Sequence, residues 1–281
     1  MFTLFLMNQK GLAFLQSFVN TNDVSLIDTV VGAKDESVLN DYYKDIRALS
    51  ESNKISFLDR KNLRFTDPTN SIAIAIGWRW IISSKSFLRI IVFHDSLLPK
   101  YRGFAPTVNA LINGENEIGV TALWASEQYD QGPILGQKSL KVNYPITIEN
   151  AISALSSLYA DLGMELVNAI IRKGDLHGSP QDESQIDWSA NANDIRRFID
   201  AVGYPYQGAS SFIDGIGKVR ILEAEECFDY IHEIVHPGKL FLKIDEQPLV
   251  ICGKGSLLIK RMILDNDGSK IDLKNFRVRF R

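Results

Sequence analysis

Two runs constrain this chain more than anything else in it: "SIAIAIGWRWII", Ser71 to Ile82, and "FLRIIVF", Phe87 to Phe93. Both are continuous rather than alternating, broken in the second only by Arg89, as strands covered on both faces tend to be. The stretch before them agrees. Thr3 to Met7 reads as a short strand, Asn8-Gln9-Lys10-Gly11 as a turn and "LAFLQSFV" as a helix. Leu26 to Gly32 is the next strand and "ESVLNDYYKDIRALSES" the next helix. Alternating β and α implies a Rossmann-like α/β fold with a mostly parallel sheet and right-handed crossovers.

Past Phe93, "APTVNALING" has Pro106 where a first helical turn tolerates it and closes on Asn113-Gly114. "IGVTALW" and "ILGQKSLKV" are strands flanking the loop Ala125 to Gly132, and Thr147 caps a long helix with apolar residues at helical spacing. The polar, Gly/Pro-bearing "GDLHGSPQDESQ" reads as a linker. Beyond it come one helix, "ANDIRRFIDAVG", and the short strands "KVRILEA", "KLFLKI", "PLVICG" and "LLIKRMIL", separated by turns. That spacing predicts a small, OB-like β-barrel. The expected organisation is an α/β domain over residues 1–176, a linker over 177–190 and a barrel over 191–281.

At 281 residues, 45% hydrophobic and 23% charged, the chain is long enough for two cored domains. A net charge of -3 gives no electrostatic argument for a polyanionic partner. No apolar run reaches the roughly 18 residues needed to span a bilayer, so no membrane is expected. "MFTLFLMNQKG" lacks the basic region of a secretion signal and is better read as a strand and turn. Cys227 and Cys252 are too far apart for a CxxC site, and the four histidines are scattered, so no metal is expected and the compartment reads as cytoplasmic.

The apolar run from Phe87 stops at His94-Asp95-Ser96, passes Pro99 and continues into Lys100-Tyr101-Arg102-Gly103. Strand C-termini are where open α/β sheets hold their ligands. Asp130 stands in the loop after a later strand, and parallel neighbours would bring the two strand ends together. An imidazole beside a carboxylate is a suitable proton acceptor and relay near neutral pH. A histidine that merely caps its own loop is the alternative on spacing alone. Trp78 and Trp80, near a strand end, suit a stacking site.

"FHDSLLPKYRGFAPTVNALINGENEIGVTAL" followed by "YDQGPILGQ" resembles the signature of the 10-formyltetrahydrofolate-dependent formyltransferases. The pattern is carried by His94, Ser96-Leu97-Leu98-Pro99, Tyr101-Arg102-Gly103, Gly119-Val120-Thr121 and Asp130-Gln131-Gly132-Pro133-Ile134. "DWSANANDIRRFIDAVGYPYQGA" resembles the start of the barrel that follows the catalytic domain in the methionyl-tRNA and arabinose enzymes. The likeness is greatest to enzymes that formylate nucleotide-linked amino sugars. It implies a formyltransferase fold, 10-formyltetrahydrofolate as co-substrate, and His94 and Asp130 as the catalytic pair. It also implies a pterin pocket around Trp78, Arg79, Trp80, Glu127 and Tyr129, and a second-substrate side at Asn8, Lys10, Lys100 and Arg102. Asn109 is expected to be structural, and His177, His232 and His236 to carry no chemistry. The partners so implied are folate and a nucleotide-linked amino sugar. The family's sugar enzymes are often dimers, so a homodimer is expected.

At one position the sequence departs from the family, which has an asparagine two residues before the histidine where this chain has Val92. Residues two apart on a strand face the same side, so valine removes an N–H aimed at a developing oxyanion. Such a loss typically costs about 10²–10³ in turnover. A protonated His94, a water or Ser126 are the substitutes. Methionyl-tRNA formyltransferase is the alternative enzyme, but residues 189–281 hold 14 Lys/Arg against 13 Asp/Glu, a net of +1, where an RNA-binding barrel should be clearly basic. A folate- or sugar-binding protein that has lost activity is a further alternative. A Rossmann dehydrogenase is disfavoured by the missing GxGxxG.

Overall fold

The computed structural model describes residues 1–63, 70–227, 230, 235–271, 273 and 278–281. The chain forms two compact units, Met1–Gln181 and Asp182–Arg281.

The first unit is built on seven strands: β1 (Phe2–Leu6), β2 (Ile27–Gly32), β3 (Phe57–Asp59), β4 (Ile72–Ile76), β5 (Arg89–His94), β6 (Glu117–Trp124) and β7 (Ile134–Lys141), in the order β3-β2-β1-β4-β5-β6-β7. The first five are mutually parallel, whereas β6 runs antiparallel to both β5 and β7. One face packs Leu4, Leu6, Ile74, Ile76, Ile91 and Phe93 against α1 (Asn8–Thr21) and α4 (Ile148–Lys173). The two helices touch closely: a Cβ on Gly163 would run into the ring of Phe14. By length and apolarity α4 could cross a membrane, but its Tyr159, Leu162, Leu166 and Val167 are buried in this core, and its Ala151 and Leu155 in a neighbouring cluster with Ala110, Ile118 and Val142. The other face carries Phe5, Val31, Ala73, Ala75 and Ile90 under a loop layer that includes Leu63, Trp78 and Ile82. Register puts Phe5, Ala75 and Val92 in one row across that face.

Several expectations shift. The strand expected to run through "GWRWII" ends at Ile76, the chain turns at Gly77, and Ile81 is 81% exposed. Residues expected to form a turn after β1 are the first turn of α1, whose helix starts at Asn8. The helix α2 covers only Tyr43–Ser52, and the short strand β3 extends the sheet beyond it. Helix α3 (Pro106–Ile112) begins with Pro106 as expected, and Thr147 caps α4 by accepting from the Asn150 N–H at 3.2 Å.

The second unit has helix α5 (Ala192–Ala201) and strands β8 (Ala209–Ile213), β9 (Gly217–Cys227), β10 (Leu240–Ile244), β11 (Gln247–Ile251) and β12 (Ser256–Leu264). They form one antiparallel sheet in the order β10-β11-β12-β9-β8. Its two edge strands are joined through the segment 278–281. Phe212 and Arg281 exchange N–H···O bonds of 2.8 Å, and the Leu240 N–H donates to the Val278 carbonyl at 3.2 Å. The sheet thus closes around Trp188, Ile195, Ile199, Ile221, Leu257 and Phe280.

Candidate active site

His94 is the last residue of β5, on the loop-covered face, and 8% exposed. The loop after it is held from within the sheet. Buried Thr121 donates its hydroxyl to the Ser96 carbonyl at 2.6 Å and accepts from the Leu98 N–H at 3.0 Å. Gln137 Nε2 donates to the Leu98 carbonyl at 2.8 Å, and Ser96 Oγ to the Lys100 carbonyl at 2.6 Å. The loop then delivers the carbonyl of Tyr101, whose own phenol is anchored on Glu115 and Asn113.

That carbonyl lies 2.7 Å from His94 Nε2. A carbonyl only accepts, so Nε2 carries a hydrogen and the neutral ring leaves Nδ1 bare. Nδ1 faces Asp130 Oδ1 at 3.5 Å. Both atoms are acceptors turned toward one point, so a proton delivered there would find a partner on either side. This is the chemistry expected of a general base.

Asp130 arrives by a route other than the expected one. Because β6 is antiparallel to β5, its end at Trp124 pairs with Ile91, three residues short of His94. The loop Ala125–Gly132 must fold back along the strand by about 10 Å at 3.3 Å per residue. Gly132 permits the return, since a Cβ there would overlap the Trp124 carbonyl oxygen. Asp130 sits in the left-handed region at φ 55°. Its Oδ2 accepts from the Gly103 N–H at 3.0 Å, and its carbonyl from Gln181 Nε2 at 2.7 Å and Arg102 Nε at 3.2 Å. Gln181 also donates to the Gly132 carbonyl at 2.9 Å, and its own oxygen accepts from Arg102 Nε at 3.1 Å. A non-glycine residue in this conformation persists when its surroundings over-determine it, as they do here.

Gln181 lies outside the motif, inside a polar stretch read as linker, and only its amide chemistry could have singled it out. Arg102 is turned to this carbonyl cluster. Lys10 is directed inward: its ammonium pairs with Asp95 and its side chain is 7% exposed. Asn8 accepts from the Lys10 N–H at 3.1 Å, and Lys100 is exposed. Ser126 donates to the Gln128 carbonyl within its own turn at 2.7 Å, so its hydroxyl is already engaged. Val92 packs into the apolar cluster with Trp78 and Ile82. Asn109 donates to the Ala105 carbonyl at 3.0 Å, a helix-end contact. His177 and His236 are exposed, and His232 falls outside the described residues.

The loop-covered face also holds a cavity of about 550 Å³ lined by Phe5, Arg60, Lys61, Trp78, Trp80 and Ile82, and neither His94 nor Asp130 is among its lining residues. Trp78 meets Phe5 edge-on at 5.0 Å and Trp80 at 5.2 Å, and the Arg60 guanidinium lies 4.0 Å from the Trp80 ring centre. The Trp78 Nε1–H is buried and has no hydrogen-bond partner among the described residues. Arg79 turns away from these rings to Asp35, at 2.8 Å, and Ser37. Glu127 is exposed and Tyr129 is 76% exposed on the loop that carries Asp130.

Comparison with known proteins gives a consistent family. Residues 66–166 match the model for formyl transferase, and residues 179–280 that for the formyl transferase C-terminal domain. The methionyl-tRNA formyltransferase of Thermodesulfovibrio yellowstonii is 32% identical over 228 residues, covering 75% of this chain and 70% of that protein. That of Heliobacterium modesticaldum is 33% identical over 186 residues, covering 59% of this chain and 58% of its own. Among solved structures, the N-formyltransferase from Helicobacter canadensis, in complex with folinic acid and dTDP-3-aminofucose, superposes with a TM-score of 0.55 at 17% identity, covering 93% of this chain and 98% of that one. WlaRD, a sugar 3N-formyl transferase, gives 0.53 at 16% identity, covering 92% and 96%.

Proposed function

This chain belongs to the formyl transferase family, and from that membership we propose that it moves the formyl group of 10-formyltetrahydrofolate onto the amine of a nucleotide-linked amino sugar. The observation that carries the chemistry is the bare Nδ1 of His94 facing the Asp130 carboxylate, with Nε2 fixed on the Tyr101 carbonyl. The neutral amine attacks the formyl carbon, the new C–N bond forms, and the bond from that carbon to folate N10 breaks. One proton leaves the amine and one reaches N10, so the His94–Asp130 pair has only to accept and return a proton. Val92 offers no donor to the oxyanion, and Ser126 is spent on Gln128. With Nδ1 turned to Asp130 and Nε2 to the Tyr101 carbonyl, the role falls to a water.

The cavity beside Trp78 and Trp80 suits the folate: aromatic walls for a flat heterocycle, Arg60 and Lys61 for carboxylates, and an unsatisfied indole N–H for an acceptor atom. Lys100, at the exposed side of the loop after His94, is the residue best placed for a diphosphate. A sugar acceptor is supported by the charge of the second unit. Among the described residues, several of its cations are paired with carboxylates, as in Lys218–Asp182, Arg220–Asp265, Lys260–Glu225 and Arg196–Glu226. The sequence relatives favour a second reading, transfer to methionyl-tRNA.

The test is a panel of nucleotide-linked 3- and 4-amino sugars, with methionyl-tRNA alongside, each incubated with 10-formyltetrahydrofolate and read by product mass. Formylation of one sugar, abolished in His94→Ala and Asp130→Asn, is the expected result. Formylation of methionyl-tRNA alone establishes the second reading instead.

A further inference from the structure

Behind His94, on the helix-covered side of the sheet, lies a group of ionisable side chains that the transfer chemistry does not use. Asp95 follows His94, so the two side chains point to opposite faces. The Asp95 carboxylate accepts from the Lys10 ammonium on one oxygen and from the Tyr159 hydroxyl on the other. Lys10 lies in the first turn of α1 and Tyr159 in the middle of α4. The Lys10 ammonium also stands 5.5 Å from the Tyr159 ring centre. From α3, Thr107 donates to the Asp95 main-chain carbonyl at 3.3 Å.

The arrangement is not an economical way to join three elements. A lysine at a helix N-terminus opposes the helix dipole, and a buried ion pair is often no more stabilising than apolar groups of the same volume. Burial opposes ionisation of Asp95, but the charge and hydrogen bond of Lys10, the Tyr159 hydroxyl and the nearby His94 hold its carboxyl below the usual range. Burial and the Asp95 charge push the Tyr159 phenol well above its own, so it stays a donor. A fixed anion therefore adjoins the catalytic imidazole.

We propose that Asp95 is a positioning residue for His94: a second carboxylate, anchored by Lys10 and Tyr159, which fixes the end of β5 and stabilises the imidazolium while Asp130 faces the ring directly. The groups that set the state of His94 are then Asp130 from the loop Ala125–Gly132, the Tyr101 carbonyl, and Asp95 with Lys10 and Tyr159 behind the strand. The inference rests on the formyl-transfer reading for its catalytic meaning, but its test does not need turnover.

With ¹⁵N-histidine labelling of the full chain, His94 is assigned by its loss in His94→Gln and titrated by NMR. In Asp95→Asn its midpoint should move to lower pH, by less than the roughly 1–3 units typical of an opposite charge in direct contact, because the carboxylate lies behind the strand. In Asp95→Glu it should stay near wild type. In Lys10→Met the midpoint should also leave its wild-type value, to higher pH where Asp95 stays ionised and to lower pH where burial neutralises it, and this variant decides the matter if Asp95→Asn does not fold. Titrations of folded Asp95→Asn and Lys10→Met that both coincide with wild type would overturn the proposal. Should no amino sugar be formylated, the function is wrong and the titration still stands; where turnover is found, the acid limb of the kcat profile should move with the midpoint.

Discussion

Val92 stands where the family has asparagine, and its methyls face the same side of β5 as His94. Val92→Asn should raise kcat by about 10- to 100-fold with KM nearly unchanged, because a donor matters at the oxyanion more than in the ground state. If its amide is left unpaired in the apolar cluster, the variant should lose about 1–3 kcal/mol of stability, read by denaturant unfolding. An unchanged kcat would mean that the oxyanion is held by another group. Gln181 acts on Asp130 through the backbone, so Gln181→Leu should lower kcat by about 10- to 100-fold, the scale of a small misplacement, and leave the KM for folate alone; equal losses in kcat and stability with a raised KM would argue for a scaffold role instead. His94 and Asp130 were legible because a motif fixes their identity and spacing. Lys10 and Arg102 were readable as cations near the site, but not their direction, since inward pairing depends on Asp95, Tyr159 and Gln181 from distant segments.

At the scale of elements, the sequence pattern located β1, β2, β5, β6, β7 and α4 well, because each is a strong periodic or continuous apolar signal. It could not show that β6 runs opposite to β5, since strand direction is set by how the α3 connection crosses the sheet. The carboxylate therefore depends on a folded-back loop, and Gly132→Ala should abolish activity while the helices and core persist, as judged by circular dichroism. The apolar run from Ser71 misled because continuous hydrophobicity does not separate a strand from the loop that covers it. Trp78, Trp80 and Ile82 are apolar as cavity walls and face-covering groups rather than as strand residues. On the opposite face, Gly163→Ala should overpack Phe14 and destabilise the first unit by about 1–3 kcal/mol; an unchanged unfolding midpoint would show that α1 and α4 can separate freely.

For the whole molecule, each unit carries a carboxylate held below its usual value of 3.8: Asp95 in the first, and Asp182 in the second. For Asp182 burial again opposes ionisation, and hydrogen bonds from Ser184, Ser210 and Lys218 outweigh it. A carboxyl that ionises more readily folded than unfolded contributes stability above its unfolded pKa, and that contribution is lost as pH falls through the lower folded value. Both units should therefore lose stability below about pH 4, and Asp182→Asn should flatten the acid side of the second unit's unfolding curve in calorimetry. A slope unaltered by that change would exclude the Asp182 network as its source. The presence of a barrel was legible from short strands and turns, but β8 and the segment 278–281 were not, being too short to show a period. That segment bonds to both outer strands, so its removal would bare backbone groups. A chain ending at residue 277 would expose β10 at Leu240 and β8 at Phe212; on that edge of β8, among the described residues, only Ser210 would still be paired, to Ser184 and Ile186. Such a chain should precipitate or bind amyloid dyes under conditions where the intact chain stays dispersed.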